Sequence, residues 1–433
     1  MLPPQRNAGK SLTSLPHPSS LGGEGKGEGI LVQKRMNPSD FKVNGFLFSG
    51  ISAGIKKDGK RDLGLIYSEV PAQVAGLFTT NAVKAAPVQI GMKRIKRGLC
   101  QAVIINSGNA NACTGNRGLD DSKRISSWVA KGLGTEERLI IPSSTGVIGT
   151  PLPMGKIEEG IPKLIDALSP NGWMDTVEAI MTTDTFPKVE RVTCRIKGRN
   201  VKVCGMVKGA GMIRPNVATM LSFIVTDANI RAALLQQVLD EVAQDSYNRI
   251  TIDGETSTND TVLLLANGMS GHPPISRMNR DGALFRLRLL EVCQNLAKSV
   301  VRDGEGATKF VEVCVKGARN REDAKEAAYA IAHSPLVKTA FFGMDANWGR
   351  ILCAIGHSGI RIDPNRIDVF FDRKPIVKNG IGVGGQLEEE AAEVIKKKSF
   401  KVTVHLHQGK AECSVLTTDL SIDYVKINAS YRS

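Results

Sequence analysis

A hydroxyl or thiol nucleophile needs a base, and the six histidines of this chain are poorly placed to supply one. His17 lies in a segment rich in Pro, Gly and Ser. His405 and His407 alternate with Val404 and Leu406, which reads as the polar face of an antiparallel strand. His272, His333 and His357 have no partner at metal-ligand spacing, so no metal is expected. The G-x-S-x-G elbow, the phosphate-binding Walker loop and the dinucleotide fingerprint are all missing. A threonine at the start of a chain carries its own base, the free α-amine, whose pKa of about 7.7–8.0 sits near working pH. Such an amine appears only if the peptide bond before the threonine is broken. The hydroxyl can break it by attacking the preceding carbonyl, an N-to-O acyl shift. Pro215-Asn216-Val217-Ala218-Thr219-Met220-Leu221 suits this chemistry. Ala218 leaves its carbonyl unhindered, and Gly205, Gly209, Gly211 and Pro215 permit a tight, irregular approach. By itself an Ala-Thr-Met-Leu run also reads as an ordinary helix start or strand.

The elements around this segment alternate between strand and helix patterns. Leu63–Tyr67, Val74–Phe78 and Ala102–Ile105 read as buried strands, with Asn106–Asn111 a polar loop leaving the last. Val192–Lys197 and Val201–Val207 form a hairpin around Gly198-Arg199-Asn200. Amphipathic helices are predicted at 121–133, 157–168, 232–245, 282–301 and 322–333, and strands at 260–266, 310–315, 367–371 and 402–406. Residues 1–35 have no apolar periodicity and are expected to be a disordered extension, with ordered sequence starting near Met36.

With 433 residues, 42% hydrophobic, the chain is too long for one average core, and two domains, or one large α/β unit plus a smaller one, are expected. No apolar run approaches the ~20 residues of a membrane helix. The net charge of +14 is spread along a chain with 5% aromatic residues. No basic helix or zinc-finger spacing accompanies it, which disfavours nucleic-acid binding, and a basic enzyme with carboxylate-bearing substrates explains the charge as well. The eight cysteines form no CxxC pair and no secretory signal is apparent, which predicts reduced thiols, mostly buried, in a cytoplasmic protein. Val313-Cys314-Val315 and Leu352-Cys353-Ala354 both look like strands.

The segment Lys208-Gly209-Ala210-Gly211-Met212-Ile213-x-Pro215-Asn216-x-Ala218-Thr219-Met220-Leu221 resembles the processing segment of the ornithine acetyltransferases, also called bifunctional glutamate N-acetyltransferases. Five further segments resemble that family in the same order. They are Ser144–Gly149, Met181–Thr185, Asp253–Asp260, Arg302–Lys309 and Tyr424–Tyr431, so the resemblance spans roughly residues 40–433. Arg214, Val217 and Ala346 depart from the family's common residues, away from any catalytic position.

The resemblance implies a two-domain α/β sandwich with helices layered on mixed sheets. It implies self-cleavage between Ala218 and Thr219 into an α chain, 36–218, and a β chain, 219–433, assembled as an α2β2 heterotetramer. Thr219 would be the nucleophile, and Thr145 and Gly146 the oxyanion hole. Thr182, Lys208, Glu305, Asn428 and Ser433 would contact substrate together with Thr219. The implied reaction carries acetyl from N2-acetyl-L-ornithine to L-glutamate with no cofactor. Acetyl-CoA is a co-substrate for some members only, and the motifs leave that choice open. A self-processing aminopeptidase or amidase is the alternative, and the segments around Glu305 and Asn428 favour the transferase.

Overall fold

The structure is a computed structural model that describes residues 37–214 and 220–430. The expectations for residues 1–35, for Ala218 and Thr219, and for Ser433 fall outside them. Two mixed sheets organise the rest. The first contains β1 (Phe46–Ile51), β2 (Leu63–Phe78), β3 (Leu99–Asn109), β4 (Ile140–Val147), β5 (Lys188–Ile196), β6 (Arg199–Lys208), β7 (Leu221–Thr226) and β8 (Thr261–Ala266). Its order is β4-β3-β2-β8-β7-β6-β5, with β1 beside the first half of β2. The β3–β4 and β7–β8 pairs are parallel. The second sheet contains β9 (Phe310–Ala318), β10 (Asp368–Phe371), β11 (Lys374–Lys378), β12 (Ile381–Gly382), β13 (Ser399–His405) and β14 (Ala411–Thr418), in the order β12-β11-β10-β13-β9-β14.

Alternation of side chains sets the layers. On β7 and β8, Ile224, Val262 and Leu264 face the helices Ala232–Gln244 and Arg280–Arg302, where Val238, Leu239, Phe285 and Leu289 meet them. Phe223, Val225, Leu263 and Leu265 face the other way, into a core built on Phe48 and Trp173. Both faces being covered explains why these parallel strands read as continuous apolar runs. The second sheet has a separate core, where Val313, Val402 and Val415 meet Ala328 and Ile331 of helix Arg321–His333.

Several sequence expectations need correction. Leu63–Tyr67 and Val74–Phe78 are one strand, β2. Pro71 does not end it, because the register against β3 slips between Tyr67 and Ala72 and leaves Glu69, Val70 and Pro71 exposed. Asn106–Asn109 is strand rather than loop, since β4 pairs with it through Val147. Cys353 lies on a helix, Trp348–Gly356, and is exposed, as is Cys113; all eight thiols are free. β13 is antiparallel to β10 but parallel to β9, and His407 lies past its end, bonded to Asp368 at 2.9 Å. Among the described residues no helix is long and apolar enough to cross a membrane.

Candidate active site

Thr145, Gly146, Thr182, Lys208, Glu305 and Asn428 line one cleft, brought together from five separate stretches of chain. The first wall is the end of β4. Gly146 pairs with Gly108 across the parallel β3–β4 ladder, where the register is irregular. Its φ is 130°, and an added Cβ would lie 2.4 Å from the Gly108 carbonyl carbon. Only glycine fits that approach. The backbone there is held by asparagines. Asn259 donates to the carbonyls of Ala110 and Ser144, at 2.7 and 2.8 Å. Asn106 donates to the Asn109 carbonyl and accepts from the Ser144 hydroxyl. Asn106 and Asn259 therefore brace the strand end at Ser144.

The opposite wall is the end of β6, where Lys208 pairs with Leu221, the first residue of β7. The Lys208 side chain is buried, and its Nζ reaches the Thr182 hydroxyl at 3.4 Å. Burial pulls its ammonium below the ordinary lysine value, against Asp184, Asp260 and Glu305. Thr183 also lines the cleft, but the bond to Lys208 is made by Thr182.

A buried ionic cluster fixes both. Lys188 is fully buried between Asp184, at 2.5 Å, and Asp303. Asp184 also accepts from the backbone N–H groups of Gly209 and Thr182, at 2.8 and 2.9 Å. Burial opposes ionisation of Asp184, yet Lys188 and Lys208 hold its carboxyl below the usual value. Asp303 also accepts from Thr185, through both its N–H and its hydroxyl. Replacing Lys188 by methionine would leave two buried carboxylates with no cation between them. The expected loss is about 3–5 kcal/mol of stability, measured as a lowered midpoint in urea unfolding. An unchanged midpoint would show that the cluster is replaceable.

The third wall is Glu305. Its N–H donates to the Ala210 carbonyl at 2.7 Å, and its carboxylate accepts from Asn428 at 3.0 Å on the helix Ile422–Ser430. Gly306, at φ 64°, lets that helix approach; a Cβ there would meet the Tyr424 nitrogen at 2.4 Å. Asp184, Lys188, Asp253, Asn259 and Asp303 were given no role from sequence. All but Lys188 lie inside the matched segments, and Lys188 carried no signal beyond its spacing from Asp184.

Residues 47–433 match the ArgJ family. The arginine biosynthesis bifunctional protein ArgJ of Geobacter sulfurreducens is 52% identical over 391 residues, covering 90% of this chain and all of that protein. The protein of the same description from Syntrophotalea carbinolica is 52% identical over 394 residues, covering 90% of this chain and all of its own length. A crystal structure of arginine biosynthesis bifunctional protein ArgJ from Bacillus halodurans shares 44% identity over 49% of this chain and all of that chain, with a TM-score of 0.47.

Proposed function

The chain belongs to the ArgJ family, and on that premise we propose that its cleft moves acetyl from N2-acetyl-L-ornithine to L-glutamate through an ester on Thr219. It is an acetyltransferase of arginine biosynthesis. The observation that carries the proposed route is the convergence of Thr145, Gly146, Thr182, Lys208, Glu305 and Asn428 on one cleft beside the start of β7. Met220, next to Thr219 in sequence, is fixed there by accepting from the Thr261 N–H at 3.0 Å.

Self-cleavage before Thr219 frees its α-amine. The acetyl carbonyl of acetylornithine lies against Thr145 and Gly146, and the Thr219 hydroxyl attacks it while the α-amine takes the hydroxyl proton. The tetrahedral oxyanion is stabilised by those two residues. The C–N bond then breaks, and ornithine leaves with the proton. The glutamate amine attacks the acetyl ester, restoring the Thr219 hydroxyl and giving N-acetylglutamate. Lys208 and Thr182 face the α-carboxylate that both substrates share. Glu305 and Asn428 face the far end, where acetylornithine carries an ammonium; Ser433 is a further substrate contact. No cofactor takes part.

The cut falls within the first sheet: β6 belongs to the α chain, 36–218, and β7 to the β chain, 219–433. Their antiparallel ladder over Val203–Lys208 and Leu221–Thr226 supports continued association. An α2β2 assembly in the cytoplasm completes the reading, checked by light scattering of the processed protein.

Lys208→Ala is expected to raise KM for both acetylornithine and glutamate by about 10–100-fold, the range for a lost charge-assisted bond. His405→Ala should change neither. Because burial lowers the Lys208 pKa, its charge is lost at a lower pH than that of a free lysine. Substrate KM should therefore begin to rise below pH 10.5 as pH increases. Steady-state kinetics across pH for wild type and variant checks both points, and equal KM values in the two would remove Lys208 from the site.

A further inference from the structure

Asp253 belongs to none of the roles above, yet it ties three parts of the cleft together. Its Oδ2 accepts from the Met212 N–H at 2.6 Å and from the Tyr424 hydroxyl at 3.2 Å. Its Oδ1 accepts from the N–H groups of Ile213, at 2.9 Å, and Glu255, at 3.2 Å. Four donors thus converge on two oxygens, which suits an ionised carboxylate, an acceptor at every lone pair. Asparagine cannot replace it. Either orientation of its amide would point an NH2 at the N–H of Met212 or at those of Ile213 and Glu255. Burial raises the Asp253 carboxyl pKa, and the donors of Met212, Glu255, Ile213 and Tyr424 oppose that shift.

The bonds have structural work to do at each end. Met212 has φ 57°, the left-handed region that disfavours side chains. The Ile213 carbonyl is held by the Thr251 hydroxyl at 2.8 Å and the Ile252 N–H at 3.0 Å. The turn so fixed brings Gly211 against Glu305, where an added Cβ would come within 2.2 Å of the carboxylate. Tyr424 sits on the helix that also carries Asn428, which bonds Glu305. A closed ring results: Asp253 to Met212 and Gly211, on to Glu305, to Asn428, and back through Tyr424.

We infer that Asp253 is a positioning residue for the acetyl-transfer cleft, holding Glu305 from two directions at once, through the 211–213 turn and through the C-terminal helix. The inference rests on the reading of Glu305 as the partner of the substrate ammonium. It explains why this carboxylate gathers donors from both sides of the proposed cut.

The test uses Tyr424→Phe and Asp253→Asn in the full-length processed protein. Chain cleavage is followed by intact mass, kcat and KM by assay with acetylornithine and glutamate, and ornithine binding by calorimetry. Tyr424→Phe removes one of the four bonds and leaves the backbone clamp. It should raise KM for acetylornithine and Kd for ornithine about three- to tenfold, with kcat within about twofold of wild type. Asp253→Asn should raise both by about tenfold or more, because an N–H is left facing an amide. If Asp253→Asn fails to fold or to be cut, Tyr424→Phe alone decides. Wild-type ornithine affinity in Tyr424→Phe, or a fall in kcat at constant KM, overturns the inference while leaving the acetyl-transfer reading intact. A wild-type protein that neither binds ornithine nor transfers acetyl sinks both.

Discussion

Thr219→Ala is expected to remain a single uncut chain and to lose acetyl transfer by at least about 10⁴-fold, the scale on which removal of a nucleophile acts. In the proposed route two steps need the same hydroxyl. The first is attack on the Ala218 carbonyl, which makes the second chain. The second is attack on the acetyl carbonyl, which needs the α-amine that only cleavage provides. Alanine removes both, so no residual route through residue 219 remains. Thr219→Ser keeps the hydroxyl and, after cutting, the amine; it should be cleaved and should turn over more slowly. Thr219→Cys separates the steps, since a thiol can carry out the acyl shift while its acetyl thioester differs in stability from an ester. N-terminal sequencing and intact mass give the cleavage state, and the acetylornithine–glutamate assay gives the activity. A Thr219→Ala protein that was cut, or that transferred acetyl at the wild-type rate, would place the nucleophile elsewhere.

Gly146→Ala should produce the next largest effect. The glycine has φ 130°, and an alanine Cβ would stand 2.4 Å from the Gly108 carbonyl carbon and 2.5 Å from the Asn109 nitrogen. Both neighbours are backbone, so relief requires β3 and β4 to part at their paired ends. That movement displaces the donors proposed for the oxyanion at residues 145 and 146. Loss of one such donor costs about 10²–10³ in kcat, and the same donors serve the acyl shift, so cleavage should slow as well. Time courses of chain cutting and of acetyl transfer measure the two effects separately. Normal rates for both in Gly146→Ala would remove this strand end from the chemistry. The change is expected in kcat rather than KM, which distinguishes it from Lys208→Ala.

Much of the first sheet could be read from the sequence because its strands and helices carry clean periods. The hairpin β5–β6 was marked by alternation around Gly198, and helix Arg280–Arg302 by a long apolar stripe. The misreadings have local causes. Leu63–Tyr67 and Val74–Phe78 look like two strands, but a bulge between Tyr67 and Ala72 carries the chain through Pro71 within β2. Asn106 to Asn109 look like loop because their polarity is internal: Asn106 bonds Ser144 of β4, Ser107 the Ala179 carbonyl and Asn109 the carbonyls of Thr150 and Pro151. Leu352-Cys353-Ala354 is too short for period to separate strand from helix.

The candidate site was legible through ordered motifs rather than through any single residue. Thr182, Lys208, Glu305 and Asn428 are 246 residues apart at the extremes of the sequence, and no local pattern foretells that they share a cleft. What the motifs did not disclose is the supporting layer. Lys188, buried between Asp184 and Asp303, looks in sequence like any lysine before a strand. Asp253 looks like a turn aspartate before glycine, and only one of its four donors, Glu255, is local; the others come from two distant segments of chain.

Thr219 itself is proposed to carry the acetyl group between the two amino acids. The most direct measurement is the intact mass of the processed wild-type protein after rapid quenching from acetylornithine alone. The β chain, 219–433, should gain the mass of one acetyl group on the peptide containing Thr219, and added glutamate should remove it. An unmodified β chain throughout, together with intersecting double-reciprocal lines in the steady state, would contradict the covalent route even if N-acetylglutamate were formed.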